Sequence, residues 1–261
     1  MIMKSVTLLT TLLIASFAAK ANKYDTSVSL TANVQEFRST SKRAERPCIV
    51  IGLAELEQLI DINVTLDGCR IVSEGEPEFS LILESLYLNS VRNVNPISPI
   101  PSYNIIAEFM DDIIGKSKGR LTILASPQTQ HLANTISSII QANTSLTIDV
   151  QIPQKMQDLP KVFKRIDGDA VLMLHDPKIF RNPKQVRSFM ELMIARGTPV
   201  VGVSPYFKEL GGLIEISKPL QRTYQEATDN KVNSGTGYLV EYWETIPKIF
   251  GLEKNLKGWR S

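Results

Sequence analysis

The sequence of 261 residues predicts an α/β protein whose parallel sheets are flanked by helices. The first observation is that strand and helix patterns alternate along residues 120–217, as in βαβ units. The second is the segment 170–174 (AVLML), which is wholly apolar, as is typical of a strand buried on both faces of a parallel sheet. The composition, 43% apolar and 21% charged, is that of a globular chain and excludes collagen-like and wholly disordered structures.

The segment 120–217 predicts a regular lobe. Its apolar residues follow strand or helix spacing in turn, and one helix is clearly delimited, with Asn182 as its cap, Pro183 at its first position and Gly197 at its end. The predicted elements are strands at 120–126, 146–152, 170–174, 199–204 and 213–216, and helices at 129–143, 158–166, 183–196 and 206–210.

The segment 22–100 is less regular and predicts a shorter first lobe. The predicted elements are strands at 27–32 and 48–52, a helix at 54–60, and further strands or mixed elements at 64–72 and 80–88. The stretch 95–102 (NPISPIPS) holds three prolines in eight residues, which is typical of a linker. A helix at 103–114 then opens a second lobe that extends to residue 217.

The C-terminal tail, residues 218–261, begins polar and ends amphipathic. Five aromatic residues lie in its amphipathic end, and we expect them to pack the tail back on the lobes, with docking on a partner as the alternative. These residues are Tyr238, Tyr242, Trp243, Phe250 and Trp259.

Residues 1–21 predict a cleavable signal peptide. Lys4 lies in a short basic head, residues 6–18 are apolar, and the run 19–21 (AKA) has the small-x-small pattern of a cleavage site. The alternative is a membrane anchor, but such a run is shorter than the ~20 residues that cross hydrocarbon. We therefore expect an exported, periplasmic protein that does not span the membrane once processed.

The charge balance argues against a nucleic-acid partner. Without the predicted signal peptide, the chain has 27 basic and 27 acidic residues. Proteins that grip nucleic acid usually show a basic excess or a basic stripe, and neither is visible in this sequence.

Cys48 and Cys69 are the two cysteines of the chain. In an oxidising compartment they predict one disulfide, which the loop-entropy model values at roughly 3 kcal/mol, while a pair of buried free thiols is the alternative. His131 and His175 are 44 positions apart, and no Cys/His cluster has zinc spacing, so we expect no metal and no other cofactor.

Two motifs of catalysis are incomplete. The run 115–117 (GKS) lacks the earlier glycine of a phosphate-binding loop and follows a predicted helix instead of a strand. The run 202–206 (GVSPY) resembles a nucleophile elbow, but its last position is Tyr206 and Pro205 would remove an N–H donor. The sequence therefore predicts a protein that is not an enzyme.

Polar turns follow several of the predicted strands. Ligands of open α/β sheets bind at the carboxyl ends of strands, beside helix N-termini that attract anions, although the same residue types are also ordinary turn and cap formers. The predicted ligand-binding residues are Gly52 and Leu53 of the first lobe and, in the second, Ser126, Gln128, Thr129, His175, Asp176, Ser204 and Tyr206.

The run 169–217 resembles the second lobe of the ABC-transporter substrate-binding-like proteins, a group that includes aromatic amino-acid binding proteins. The resemblance lies in Asp176-Pro177, in the strand 199–204 that ends in Ser, and in the turn Gly211-Gly212-Leu213; looser similarity covers 47–60 and the rest of 100–217. It implies a periplasmic two-lobe binding fold with the ligand in the cleft.

Two features depart from the family pattern. Only about 26 residues separate the predicted cleavage site from the strand at 48–52, where family members usually have two full βα units, so the first lobe is abbreviated. Leu53 stands where the family has a small or hydroxyl residue.

Two functions follow as expectations. In the first, the protein holds a small molecule in an interlobe cleft, closes around it through hinges near 95–102 and 217–236, and presents it to an inner-membrane permease or sensor. In the alternative, it is a non-transporting accessory protein with a degenerate cleft that docks on a membrane partner.

Overall fold

The computed structural model describes residues 48–115, 118–174, 176, 183–205, 207–208, 210–228 and 238–259. The predicted signal peptide and the strand expected at 27–32 lie outside these residues. The described chain forms one parallel sheet and one mainly parallel sheet, both flanked by helices, which confirms the predicted α/β class.

The smaller sheet has three short parallel strands in the order β1-β2-β3. They are β1 (Ile49–Ile51), β2 (Arg70–Val72) and β3 (Asn95–Ile97), with helix α1 (Gly52–Asp61) after β1 and helix α2 (Glu76–Leu88) after β2. The predicted disulfide between Cys48 and Cys69 is present and ties the start of β1 to the start of β2.

Two predictions for this half of the chain are wrong. The stretch 80–88 is helical, because Pro77 opens the helix and the buried Ile82 and Leu86 are spaced four apart. The first part of the expected linker is strand β3, which tolerates Pro96 because it lies at the edge of the sheet.

The larger sheet has six strands in the order β5-β4-β6-β7-β8-β9. They are β4 (Arg120–Leu124), β5 (Thr147–Gln151), β6 (Ala170–Met173), β7 (Val200–Gly202), β8 (Ile214–Ser217) and β9 (Leu239–Tyr242). The flanking helices are α3 (Tyr103–Ile114), α4 (Gln130–Asn143), α5 (Leu159–Arg165) and α6 (Pro183–Arg196). All four residues of β6 are buried, as its apolar sequence predicts.

The predicted elements of this lobe are confirmed with small shifts at their ends, except at 206–210, whose described residues form a turn. The antiparallel strand β9, which pairs with β8, was not predicted. Its sequence LVEY is short and half-exposed, so its pairing with β8 depends on tertiary contacts.

The C-terminal elements pack on both sheets. Helix α7 (Leu220–Thr228) lies against β2 and β3, where Ala227 joins a small cluster with Val72 and Ile97. After β9 come two short helices, α8 (Ile246–Phe250) and α9 (Glu253–Lys257), and α9 contacts α3. None of the helices in the described part of the chain is long and apolar enough for a membrane span.

Candidate functional site

The described candidate residues follow strands β1, β4, β6 and β7, at the carboxyl ends of the two parallel sheets. Because ligands of open parallel sheets bind at that edge, we call these ends and the turns after them the strand-end surface. His175 and Tyr206 lie outside the described residues.

Ser126 and Thr129 form reciprocal hydrogen bonds in the turn between β4 and α4. The Ser126 main-chain N–H donates to Thr129 Oγ1 at 2.9 Å, and the Thr129 N–H donates to Ser126 Oγ at 3.2 Å. Both residues are wholly buried, whereas Gln128 in the same turn is half-buried. The two hydroxyls therefore order the start of α4.

The turn after β7 brings the two lobes together. A Cβ atom placed on Gly75, the residue before α2, would lie 3.9 Å from Ser204 Oγ. Phe79, one turn into α2, packs against the core of the larger lobe. The first turn of α2 thus faces the end of β7 across the interlobe boundary.

The sequence analysis did not include Gly75 and its neighbours among the candidate ligand-binding residues, although the sequence around them has the pattern of a strand end. A short apolar strand is followed by the polar run 73–76 (SEGE) and by Pro77. The same pattern, a strand followed by a polar turn, predicted the candidate residues after the other strands. Glu76 is wholly buried at the start of α2, and Asp176 is 2% exposed after β6. The strand-end surface therefore contains carboxylates from both lobes.

Gly52 and Leu53 lie where β1 passes into α1, and their environment is acidic. The Leu53 N–H donates to Glu78 Oε1 at 3.1 Å, and Glu78 Oε2 accepts from the Glu74 N–H at 2.8 Å. Nearby, the Ile51 N–H donates to Glu55 Oε2 at 2.7 Å. Burial raises the pKa of Glu55, although this hydrogen bond opposes the rise.

The partial nucleophile-elbow run has a packing explanation. The ring of Phe207 lies so close to Gly202 and Gly212 that a Cβ on either glycine would fall about 2.2 Å from a ring atom. The turn is further held by Glu215, whose carboxylate accepts from the Lys208 N–H at 3.1 Å and from the Ser217 hydroxyl at 2.5 Å.

The two expected hinge segments meet. The main-chain N–H of Lys218, just after β8, donates to the carbonyl of Pro99, just after β3, at 2.7 Å. The Lys218 ammonium also pairs with Glu226 of α7 at 2.8 Å, where both side chains are largely buried. These two connections, which both lie in the described part of the chain, therefore run side by side at this point.

A cavity of about 340 Å³ lies between α1 and α2. We call it the α1–α2 groove. Its lining combines apolar side chains with three carboxylates, and its residues are Leu53, Glu57, Ile60, Asp61, Leu81, Glu84, Ser85, Leu88 and Asn89. Leu88 of this lining is 69% exposed, and Tyr87, which precedes it on α2, is 84% exposed.

The aromatic tail makes intramolecular contacts. Trp259 Nε1 donates to Asp112 Oδ2 at 2.7 Å, and its ring packs edge-on to Phe109 with the centroids 5.0 Å apart. Trp243 Nε1 donates to the Gly212 carbonyl at 3.0 Å, although its side chain stays 49% exposed. These contacts favour the expectation that the tail packs back on the lobes.

Metal ligands are not clustered in the described part of the chain, where no group of three His, Cys, Asp or Glu side chains could hold an ion.

No protein-family model and no curated protein matches this sequence. Among solved structures, a conserved domain protein from Vibrio cholerae O1 biovar El Tor is similar, with a TM-score of 0.54 and 11% identity over 80% of this chain and 81% of that chain. The ABC domain from Streptococcus pneumonia in complex with L-Trp has a TM-score of 0.53 and 12% identity, over 80% of this chain and 85% of that chain.

These likenesses establish the fold. Together with the two helix-flanked sheets, they define an α/β protein with a two-lobe, periplasmic-binding-protein-like fold, as the resemblance implied. At such low identity the likeness carries the fold and not the ligand, so the ligand contacts of the candidate residues stay predictions.

Proposed function

We propose that this chain is a non-enzymatic, periplasmic solute-binding protein that holds a small molecule between its lobes and presents it to a membrane transporter or sensor. The observation that carries the proposal is the meeting of Ser204 and Gly75, which brings the ends of β7 and β2 face to face. The shared fold and the predicted export signal support it, as does the disulfide, since disulfides persist in oxidising compartments.

The mechanism is closure about the hinge at Pro99 and Lys218. A solute that contacts the strand-end surface on both lobes binds the closed form more tightly than the open form. It therefore shifts the population of the protein toward the closed form. A membrane partner that recognises the closed form would then discriminate the loaded protein from the empty one.

The test is a thermal-shift screen of the processed chain against amino acids, short peptides, sugars, nucleosides and anions. A solute at a hundred times its dissociation constant adds about 2.7 kcal/mol of stability, so a saturable rise in melting temperature is expected for one chemical class. A flat response across these classes would contradict the proposal.

Substitution of Gly75 locates the site. In Gly75→Phe the new ring would enter the space between the lobes, so we expect the solute-induced shift to be lost while the protein stays folded. Gly75→Ala is the matched control, because its Cβ would make only ordinary contacts of 3.9 Å with Pro77 and Ser204. A shift that survives in Gly75→Phe would place the solute elsewhere.

The second candidate function is that of an accessory protein that docks on a membrane partner. The observation that favours it is the α1–α2 groove, whose lining includes the exposed Leu88 and three carboxylates, while the exposed Tyr87 precedes Leu88 in the chain. Such a groove fits a segment that is both apolar and basic.

Docking through the groove would make one membrane protein co-purify with the wild-type chain and not with Leu88→Asp. Ile249→Asp is the control, since Ile249 is an exposed apolar residue on α8, 50% exposed and outside the groove. Equal recovery with both variants would exclude the groove.

A further inference from the structure

We propose that Glu78 sets the charge selectivity of the interlobe site. Its carboxylate occupies the main-chain amides to which an anionic ligand group would bind in the smaller lobe, so the site takes neutral or cationic solutes and excludes anions. This inference rests on the proposed solute-binding function and names the charge class of its ligand.

The geometry of the Glu78 carboxylate is that of a bound anion. One oxygen accepts from the Leu53 N–H at 3.1 Å and the other from the Glu74 N–H at 2.8 Å, so the group bridges the ends of β1 and β2. Main-chain N–H groups at the start of a helix are the usual site for a carboxylate or phosphate. Here those donors are already used by a side chain that is 25 residues from Leu53 in sequence.

Gly52 makes room for this carboxylate. Its φ of +81° is one that side chains rarely adopt, and a Cβ there would lie 2.9 Å from Glu78 Oε1. The absence of a side chain at Gly52 therefore leaves space for the Glu78 carboxylate. The neighbouring Ile51 N–H likewise donates to a carboxylate, that of Glu55. The strand-end surface of the smaller lobe is thus closed to external anions at three amides.

The wider charge of the lobe has the same sign. Residues 48–94 contain eight acidic and two basic residues. One of the two, Arg70, donates to the carbonyls of Glu226 and Ala227 at the end of α7. Gly75 directly follows Glu74 in the chain, and a Cβ on Gly75 would lie 3.9 Å from Ser204 Oγ, so this acidic field acts where the proposed solute would lie.

The test compares the processed wild-type chain with Glu78→Ala and Glu108→Ala, using sodium acetate and sodium sulfate as probes at constant ionic strength. Glu108 is the matched control because it is an exposed helical glutamate that lies outside the strand-end surface and the α1–α2 groove. By calorimetry and melting temperature we expect saturable anion binding only in Glu78→Ala, at least tenfold tighter than in the wild type or in Glu108→Ala.

Two results would overturn the inference: anion binding by the wild type as tight as that of Glu78→Ala, or no anion binding by a folded Glu78→Ala. If that variant does not fold, Glu78→Gln takes its place. Its single amide oxygen can accept from only one of the two N–H groups, so a weaker gain of anion binding is expected, and no gain would also count against the inference.

The outcome separates the two proposals. If no solute class stabilises the wild type but Glu78→Ala gains anion binding, the solute-binding function fails and the role of Glu78 in excluding anions stands. If the wild type binds an anionic solute and Gly75→Phe abolishes that binding, the function stands and the assigned selectivity fails.

Discussion

The two sheets of this protein are stabilised in different ways. The larger sheet has six strands with helices packed around a continuous core that includes β4, β6, β7 and β8. The smaller sheet has three strands of three residues each, and a unit of that size buries a smaller fraction of its surface and is only marginally stable by burial.

The smaller lobe compensates with cross-links and borrowed elements. The Cys48–Cys69 disulfide joins its first two strands, and α7, which comes after the larger lobe in sequence, covers β2 and β3. Arg70 of β2 binds carbonyls at the end of α7. The larger lobe therefore depends mainly on its core for stability, and the smaller lobe depends more on a few specific connections.

The largest effect should come from the core of the larger lobe. Phe109 on α3 is wholly buried against Trp259, so Phe109→Ala should lower the free energy of unfolding by about 3–5 kcal/mol in urea denaturation. Tyr87→Ala removes an 84% exposed aromatic ring from the smaller lobe and should change it by no more than about 0.5 kcal/mol. Comparable losses of stability in the two variants would contradict the greater dependence of the larger lobe on its buried core.

Removal of the disulfide should have the next largest effect. Its cysteines are 21 positions apart, so the double variant Cys48→Ala, Cys69→Ala should lose roughly 3 kcal/mol by the loop-entropy model. Hydrogen exchange should accelerate more in β1 and β2 than in β4 and β6, because the cross-link lies within the smaller lobe. Equal acceleration in both sheets would show that the lobes unfold as one unit.

Arg70 should contribute less than the disulfide. Arg70→Met keeps much of the side-chain stem but leaves the end of α7 without its guanidinium donor, so a loss of about 1.5–3 kcal/mol is expected in the same denaturation assay. Arg92→Met, at an exposed position of the same lobe, is the control. If both arginines cost the same, the contact between α7 and β2 is not what stabilises the smaller lobe.

The smallest effect concerns pH. Burial raises the pKa of Glu215 above its ordinary value, despite hydrogen bonds from Ser217, Lys208 and Phe207 that oppose the rise. Its contribution to stability is therefore greatest below that ordinary value of 4.5 and is lost as the pH rises through the raised pKa.

Glu215→Gln cannot titrate, so its stability relative to the wild type should improve as the pH rises from about 4.5 toward neutrality. Thermal denaturation over that range measures the difference, and Glu253→Gln on α9 serves as the surface control. A difference independent of pH would mean that the charged form of Glu215 is fully compensated by its three donors.

Much of the larger lobe could be predicted because its signals are local. Apolar residues at two-residue spacing and at three- to four-residue spacing identified β4 to β8 and the helices between them, and Pro183 and Gly197 bounded one helix. The stretch 80–88 was misread because its run of apolar residues also fits a strand. Short apolar runs are ambiguous in this way since either structure can bury them.

The candidate site was predictable only in outline. Residues that end strands could be located, since Ser, Asp and Gly turns mark such positions, and Ser204 indeed lies at the interlobe boundary. The occupation of the Leu53 amide by Glu78 could not be read from the sequence, because it depends on how α2 packs beside β1.

By itself, the sequence determined the α/β class and the order of most strands and helices, because these depend on local periodicity. It favoured a disulfide between its two cysteines, and the structure contains that bond. Only the tertiary structure decided that β9 pairs with β8, that α7 covers the smaller sheet, and that the amides after β1 already hold a carboxylate. Those outcomes join residues far apart in the chain, and no local pattern specifies which distant groups will meet.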